Sequence, residues 1–244
     1  MESPIPLFPV VVKDRELSPP PAADAYYVVA ANGLFLVRRT PLFTAATAVD
    51  GGVPGLLTHV PSLELRVPRL PRTLVERASG FFRAVYERYE GEAILVMFYA
   101  PTLRRFALVA PPQVLTGRFS GGRFRADLRL DYGACEKPGP EYVRYGTVHS
   151  HCELAPYHSQ TDVDDEIGEP GLHVTAGYLH RSQPEFAASF VVNATRFKLP
   201  PADVLAPFGN YRRPPTCWLE QIVIRARGCV DQTLASSAGR NGYR

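Results

Sequence analysis

His149-Ser150-His151 sets two imidazoles two residues apart, and Ser159 and Asp162 follow on the same stretch of chain. These are the residue types of a hydrolytic metal site. Residues i and i+2 of a strand point to one face, so His149 and His151 grip a single ion provided this segment is extended. The preceding run Tyr142-Val143-Arg144-Tyr145-Gly146-Thr147-Val148 is β-branched and aromatic, which favours that conformation. Catalytic zinc takes three protein ligands and keeps a fourth position for water, and His149, His151 and Asp162 form a suitable set. Attack on an amide also needs a base that takes the proton and passes it to the leaving amine, and a glutamate suits that task. The Ser159 hydroxyl, three residues before Asp162, is placed to donate to the oxyanion of a tetrahedral intermediate.

Each piece also has an ordinary reading. Histidine pairs at strand ends are commonly surface or satisfied core, and Ser159-Gln160-Thr161-Asp162 is an acceptable capping box for an acidic helix starting near Gln160. Cap and site are compatible, because a serine at a helix start and an aspartate on its first turn are held rigidly.

The elements that must position these residues fall into three zones: 1–70, 71–200 and 201–244. The first is β-rich. Ser18-Pro19-Pro20-Pro21 breaks the chain, and Tyr26–Ala30 and Leu34–Val37 flank Asn32-Gly33, a hairpin signal. Asp50–Gly55 reads as a loop, and Leu63, Leu65 and Val67 alternate with Glu64 and Arg66 as one more half-buried strand. The second zone opens on a helix, with Thr73-Leu74-Val75-Glu76 as a capping box behind Pro71 and an apolar face through Leu74, Val75, Ala78, Phe81, Phe82, Val85 and Tyr89. Gly91 is its expected stop. Strands are predicted over Ala93–Tyr99, Phe106–Val109 and the alternating Phe124, Leu128 and Leu130, with Gly117–Gly122 as a mobile loop. The histidine strand, the acidic helix and two closing strands, Leu172–Leu179 and Phe186–Val192, complete the zone. In the third zone, periodicity assigns Trp218–Ile224 to neither helix nor strand, and Ser236–Gly242 is small, polar and expected to fray.

Composition narrows the function classes. At 244 residues and 45% hydrophobic, the chain is long and apolar enough for a real core. Its formal charge is only +3, and its arginines are scattered rather than gathered in a stripe, which argues against a nucleic-acid partner. No apolar run approaches the roughly 18 residues of a membrane span, and the N-terminus lacks the pattern of a secretory signal. Cys135, Cys152, Cys217 and Cys229 form no CxxC pair, so neither a disulfide framework nor a thiolate zinc knuckle is indicated. A soluble, cytoplasmic protein with reduced cysteines is expected.

The order HxH, seven residues, Ser, two residues, Asp in His149–Asp162 resembles the JAMM (MPN+) signature of zinc-dependent isopeptidases. In that family a glutamate at the start of the strand after the first helix serves as general acid/base. Glu92 stands at that place here, and it alone borders the incoming strand, whereas Glu87 and Glu90 belong to the last turn of the helix. The family more often has proline after the second histidine, where this chain has Cys152; a soft ligand, a redox-sensitive site and a bystander thiol are the readings this opens. The β-rich leader before Pro71-Arg72-Thr73-Leu74 and the Gly171–Gly177 strand resemble the branch encoded in bacterial PRTRC cassettes, beside a ThiF/E1-like protein and a ubiquitin-like protein.

The resemblance implies an α+β fold, a mixed JAMM-type β-sheet flanked by helices. It also implies a zinc protease cleaving after the C-terminus of a ubiquitin-like protein, with His149, His151 and Asp162 as ligands and Glu92 and Ser159 as catalytic residues. A hydrolase freeing an amino acid from a sulfur-carrier protein and a catalytically silent scaffold are the alternatives. A cysteine protease built on Cys152 is weaker, since His151 is its strand neighbour and points to the opposite face. His59, His158, His173 and His180 read as structural, and Arg123, Arg125 and Arg129 as the solvated face of a strand or a lure for an acidic partner.

Overall fold

A computed structural model describes residues 8–14, 22–49 and 58–227, apart from the side chains of Leu128 and Arg129. The expectations for Ser18–Pro21, Asp50–Gly55 and Ser236–Gly242 lie outside the described residues. The architecture is mixed α and β, dominated by strands in open sheets.

The leader folds as one five-stranded sheet in the order β1 (Val10–Val12), β2 (Ala25–Ala30), β3 (Gly33–Arg39), β4 (Phe43–Val49), β5 (Ser62–Leu65). Alternation in β2 and β3 gathers Tyr26, Val28, Phe35 and Val37 into a small core. The hairpin lies one residue earlier than Asn32-Gly33 suggests: Ala31 and Asn32 form the turn, and Gly33 already pairs with Ala30. β4 also feeds the main core, where Phe43 meets Phe190 edge-on with centroids 4.8 Å apart.

The main sheet has the order β13 (Thr195–Leu199), β12 (Glu185–Val192), β11 (Gly171–Gly177), β10 (Val143–Ser150), β6 (Ile94–Ala100), β7 (Arg105–Val109). Only β10 and β11 run parallel; the other neighbours are antiparallel. Helix α1 (Arg72–Tyr89) covers one face, burying Val75, Ala78, Phe81, Phe82 and Val85 with Leu95, Met97, Val148, Val174 and Phe190. A third sheet, β14 (Ile222–Ala226), β8 (Gln113–Ser120), β9 (Arg123–Tyr132), stands beside it. The remaining helices are α2 (Gln160–Glu166), α3 (Pro201–Val204) and α4 (Thr216–Leu219).

Several local expectations are corrected. The capping box at Thr73 does not form: Pro71 is the N-cap without a side-chain bond. Glu76 is instead buried, accepting from Arg72 Nε at 2.7 Å, from Arg212 Nε, and from the Asn210 amide at 3.3 Å. The arginine beside it holds its carboxyl at about 2. A capping pattern is local, whereas Arg212 arrives on a C-terminal strap that the pattern cannot register. The helix ends at Glu90 in the left-handed conformation, φ 50°, one residue before Gly91.

Gly117–Gly122 is not a loop. β8 continues through Ser120, and only Gly121 and Gly122 turn. Gly117 sits inside the strand, at a register shift, because a Cβ there would lie 2.1 Å from the Arg125 carbonyl oxygen. The unassigned Trp218–Ile224 splits into the end of α4, which packs Trp218 on Phe81, and the strand β14. β13 is an edge strand that the sequence reading omits.

Candidate metal centre

β10 lies in the middle of the main sheet, and its alternation decides what faces what. Val148 points into the α1 core, while Thr147, His149 and His151 face the other side. The strand stops at Ser150. Its hydroxyl accepts from the Ala93 amide at 3.1 Å and its own amide donates to the Ala93 carbonyl at 3.0 Å, which draws the segment before β6 against the histidines. The Gln113 side chain clamps Ile94 as well, with 2.9 Å bonds to both its amide and its carbonyl. Glu92 is thereby fixed in the groove that His149, His151 and Asp162 line.

Beyond His151 the chain turns at Cys152, φ 49°, and packs on Gly177, where a Cβ would lie 2.3 Å from the Leu154 carbonyl oxygen. The turn leads into α2. Ser159 is its N-cap in a complete capping box: the Ser159 hydroxyl accepts from the Asp162 amide at 3.2 Å, and Asp162 Oδ2 accepts from the Ser159 amide at 2.7 Å. Cap and site are compatible as the sequence suggests, for the same two residues serve the cap and line the groove with the histidines. The Ser159 hydroxyl also donates to Asp162 Oδ2 at 2.7 Å, so in this conformation its proton is directed at the aspartate.

The three candidate ligands converge. His149 Nε2 and His151 Nε2 stand 3.2 Å apart, His149 Nε2 lies 3.5 Å from Asp162 Oδ1, and His151 Nε2 lies 3.3 Å from Asp162 Oδ2. A tetrahedral zinc with ligands at roughly 2.0–2.1 Å sets its donor atoms about 3.3–3.4 Å apart. The residues fit the ion: each imidazole stands close to that distance from one of the two Asp162 oxygens, and one donor atom of each residue lies within 4.8 Å of the others. Two imidazole nitrogens and a carboxylate aimed at one point repel unless a proton or a cation lies among them. Burial works against an imidazolium at His151, but Asp162 and Glu92 outweigh it and raise its pKa. Burial likewise opposes ionisation of Asp162, yet bonds from His149, His151 and Ser159 hold its carboxyl far below the usual range. Glu92 is raised chiefly by burial, with the histidines opposing.

No family model matches the chain. No curated protein matches it. Among solved structures, protein DSY2949 from Desulfitobacterium hafniense is similar over 66% of this chain and 94% of that one, at 10% identity and a TM-score of 0.32. An overlap that loose carries no argument about function.

Cys152 is buried beside the centre, and burial first, then Glu92 and Glu153, push its thiol far above the ordinary value. A thiol held protonated is a poor nucleophile. His158 and His173, read from the sequence as structural, belong to a polar wall behind the candidate ligands. His173 Nδ1 pairs with Thr147 Oγ1 at 2.9 Å and its Nε2 with the Glu169 carbonyl at 2.9 Å. His158 Nδ1 lies 3.4 Å from Thr175 Oγ1, which in turn lies 3.3 Å from His149 Nε2. Burial, reinforced by Arg196, lowers both His158 and His173 to about 4. Glu166 and Arg196 complete the wall with a 2.7 Å ion pair. A signal for Glu166 was present, since it lies one helical turn after Asp162.

The centre opens into a groove of about 680 Å³. β9 contributes Leu130, Asp131 and Tyr132 to its lining, and the segment between β10 and α2 contributes Leu154 and Tyr157. Among the described residues no helix is long and apolar enough to cross a membrane.

Proposed function

We propose that this chain is a zinc-dependent isopeptidase of the JAMM type, cleaving after the C-terminal residue of a ubiquitin-like protein. The observation that carries the reading is the convergence of His149, His151 and Asp162, one donor atom of each within 4.8 Å of the others, with the Glu92 carboxyl in the same groove. Glu92 also stands just ahead of β6, the strand that follows α1, where the resemblance puts the family's glutamate.

When bound, zinc polarises the scissile carbonyl and lowers the pKa of water toward about 7. The chain supplies the rest. Glu92, kept basic enough by its burial to accept a proton, takes it from the attacking water and hands it to the leaving amine. The Ser159 hydroxyl, turned from Asp162, donates to the oxyanion. β9 is the edge of its sheet among the described residues, so its unpaired backbone groups suit an extended peptide tail lying along the groove. A ubiquitin-like tail has that form. We place the reaction in the cytoplasm, with an E1/ThiF-like protein of the same cassette as the enzyme that loads the substrate.

Metal analysis of the purified protein is expected to give about one zinc per chain. A ubiquitin-like fusion should be cleaved by the wild type and left intact by Glu92→Gln with its zinc retained. Cleavage by metal-free protein, or an active Glu92→Gln, refutes the mechanism.

A further inference from the structure

The helix that brings Asp162 to the ligand triangle brings a second carboxylate one turn later. Residues four apart share a helix face, and the Glu166 side chain is only 10% exposed behind the cluster. Arg196 Nη1, from β13, donates to Glu166 Oε2 at 2.7 Å and to Ser189 Oγ on β12 at 2.5 Å. Three imidazoles turn their Nδ1 atoms to the same carboxylate, His173 at 3.5 Å, His158 at 3.6 Å and His149 at 4.0 Å. Thr147 and the Glu169 carbonyl fix the His173 ring from both sides. Glu166 is therefore held from two strands and the helix, and has little room to swing.

A buried ion pair is a poor device for stability, because desolvation of two charges offsets most of their attraction and apolar residues of like volume do as well. The position of this pair suits another purpose. His149 directs Nε2 at the other ligands, which leaves Nδ1 facing Glu166. A carboxylate behind a ligand imidazole fixes the ring's orientation and raises its basicity. At 4.0 Å the contact is electrostatic rather than a hydrogen bond.

We propose that Glu166, clamped by Arg196, is a positioning residue that aims His149 at the metal. The inference rests on His149, His151 and Asp162 being the ligands. Competition with a chromophoric chelator reads zinc affinity without reference to cleavage, and the visible spectrum of the cobalt(II)-loaded protein reads ligand geometry. Glu166→Gln keeps the shape and removes the charge; zinc should bind about 10–100-fold more weakly, with a shifted cobalt spectrum. Because glutamine leaves Arg196 a lone buried charge, the double variant Glu166→Gln/Arg196→Met removes both charges, and it should melt near wild type while keeping the weakened affinity. Glu166→Asp, which restores the charge at a shorter reach, should recover part of it.

Wild-type zinc affinity and cobalt spectrum in whichever of these charge-removing variants folds would overturn the role of Glu166 alone. A wild-type chain that takes up no zinc would overturn the ligand assignment and this inference together.

Discussion

The two faces of the central sheet are built from the same strands and obey opposite rules. Toward α1, β6, β10, β11 and β12 present Leu95, Met97, Val148, Val174 and Phe190. One residue out of step, β10, β11 and β12 present Thr147, His149, His173, Thr175 and Ser189, all buried. The parallel register sets Thr147 beside His173 and His149 beside Thr175. The apolar face gains its stability from area removed from water, which is non-directional. The polar face gains little of that, since each buried donor and acceptor must find a partner, and the pairing fixes geometry instead. The division follows the site and not the sheet. On the same side as the histidines but toward β7, Val96, Phe98, Ala100 and Tyr142 form a dry patch.

The sharpest way to break this contrast is one substitution on each side. Asp162→Ala removes a proposed ligand and should abolish stoichiometric zinc binding, measured by metal analysis after dialysis; one retained zinc per chain would mean the cluster is not the metal centre. Phe190→Ala, a fully buried ring in the α1 core, should lower unfolding free energy by about 3–5 kcal/mol in urea and leave the zinc affinity of the folded fraction unchanged. A Phe190→Ala protein with native stability and weakened zinc would reverse the roles assigned to the two faces.

The site was more legible than the wall behind it. His149 and His151 declare themselves through a strand's period of two and Ser159 and Asp162 through a helix start, signals carried by a few neighbouring residues, whereas Glu92 is picked out only by the family resemblance. Glu166–Arg196 joins residues 30 apart and Arg212–Glu76 residues 136 apart, and no local pattern encodes such meetings. Glu76 shows the hazard directly, because a glutamate three residues after a threonine satisfies the capping rule while its side chain is engaged elsewhere. Gly117 misleads for a related reason. It looks like a loop residue, but the close approach of the Arg125 backbone across β8 and β9 requires a glycine there. Strands at sheet edges, β13 and β14, are short and half-exposed, so their alternation is too weak to read against flanking prolines and polar residues.

A smaller effect separates the faces by pH. His173 and His158 are lowered from 6.5 to about 4, burial being the first cause in both. Folded imidazoles with depressed pKa values refuse protons that the unfolded chain accepts, so their contribution is complete above pH 6.5 and is lost as pH falls toward 4. Each can cost up to about 3 kcal/mol across that window. His151, Glu92 and Glu166, all raised, act in the opposite sense, so urea unfolding of the metal-free protein at successive pH values is compared between variants, and His173→Gln should remove about one proton from the pH dependence of the wild type. The α1 core holds no imidazole, and the buried Glu76 of α1 is unaffected by the substitution, so Phe190→Ala should shift the curve down without changing its shape. An unchanged slope in His173→Gln would show that this imidazole takes up its proton in the folded protein as readily as in the unfolded chain.

The smallest expected change in stability tests whether a single residue of the polar face holds two separate duties. Ser159 caps α2 and also supplies the hydroxyl assigned to the oxyanion. Alanine at an N-cap costs about 1 kcal/mol, whereas glycine costs only a few tenths. Ser159→Ala and Ser159→Gly should therefore differ in thermal unfolding but not in chemistry, since neither retains a hydroxyl, and both should cleave about 10²–10³-fold more slowly. Zinc should stay in both, because the Ser159 amide that donates to Asp162 Oδ2 at 2.7 Å belongs to the backbone. If cleavage by Ser159→Gly instead recovers along with its stability, the hydroxyl serves only the cap, and the oxyanion must be met by another donor in the groove.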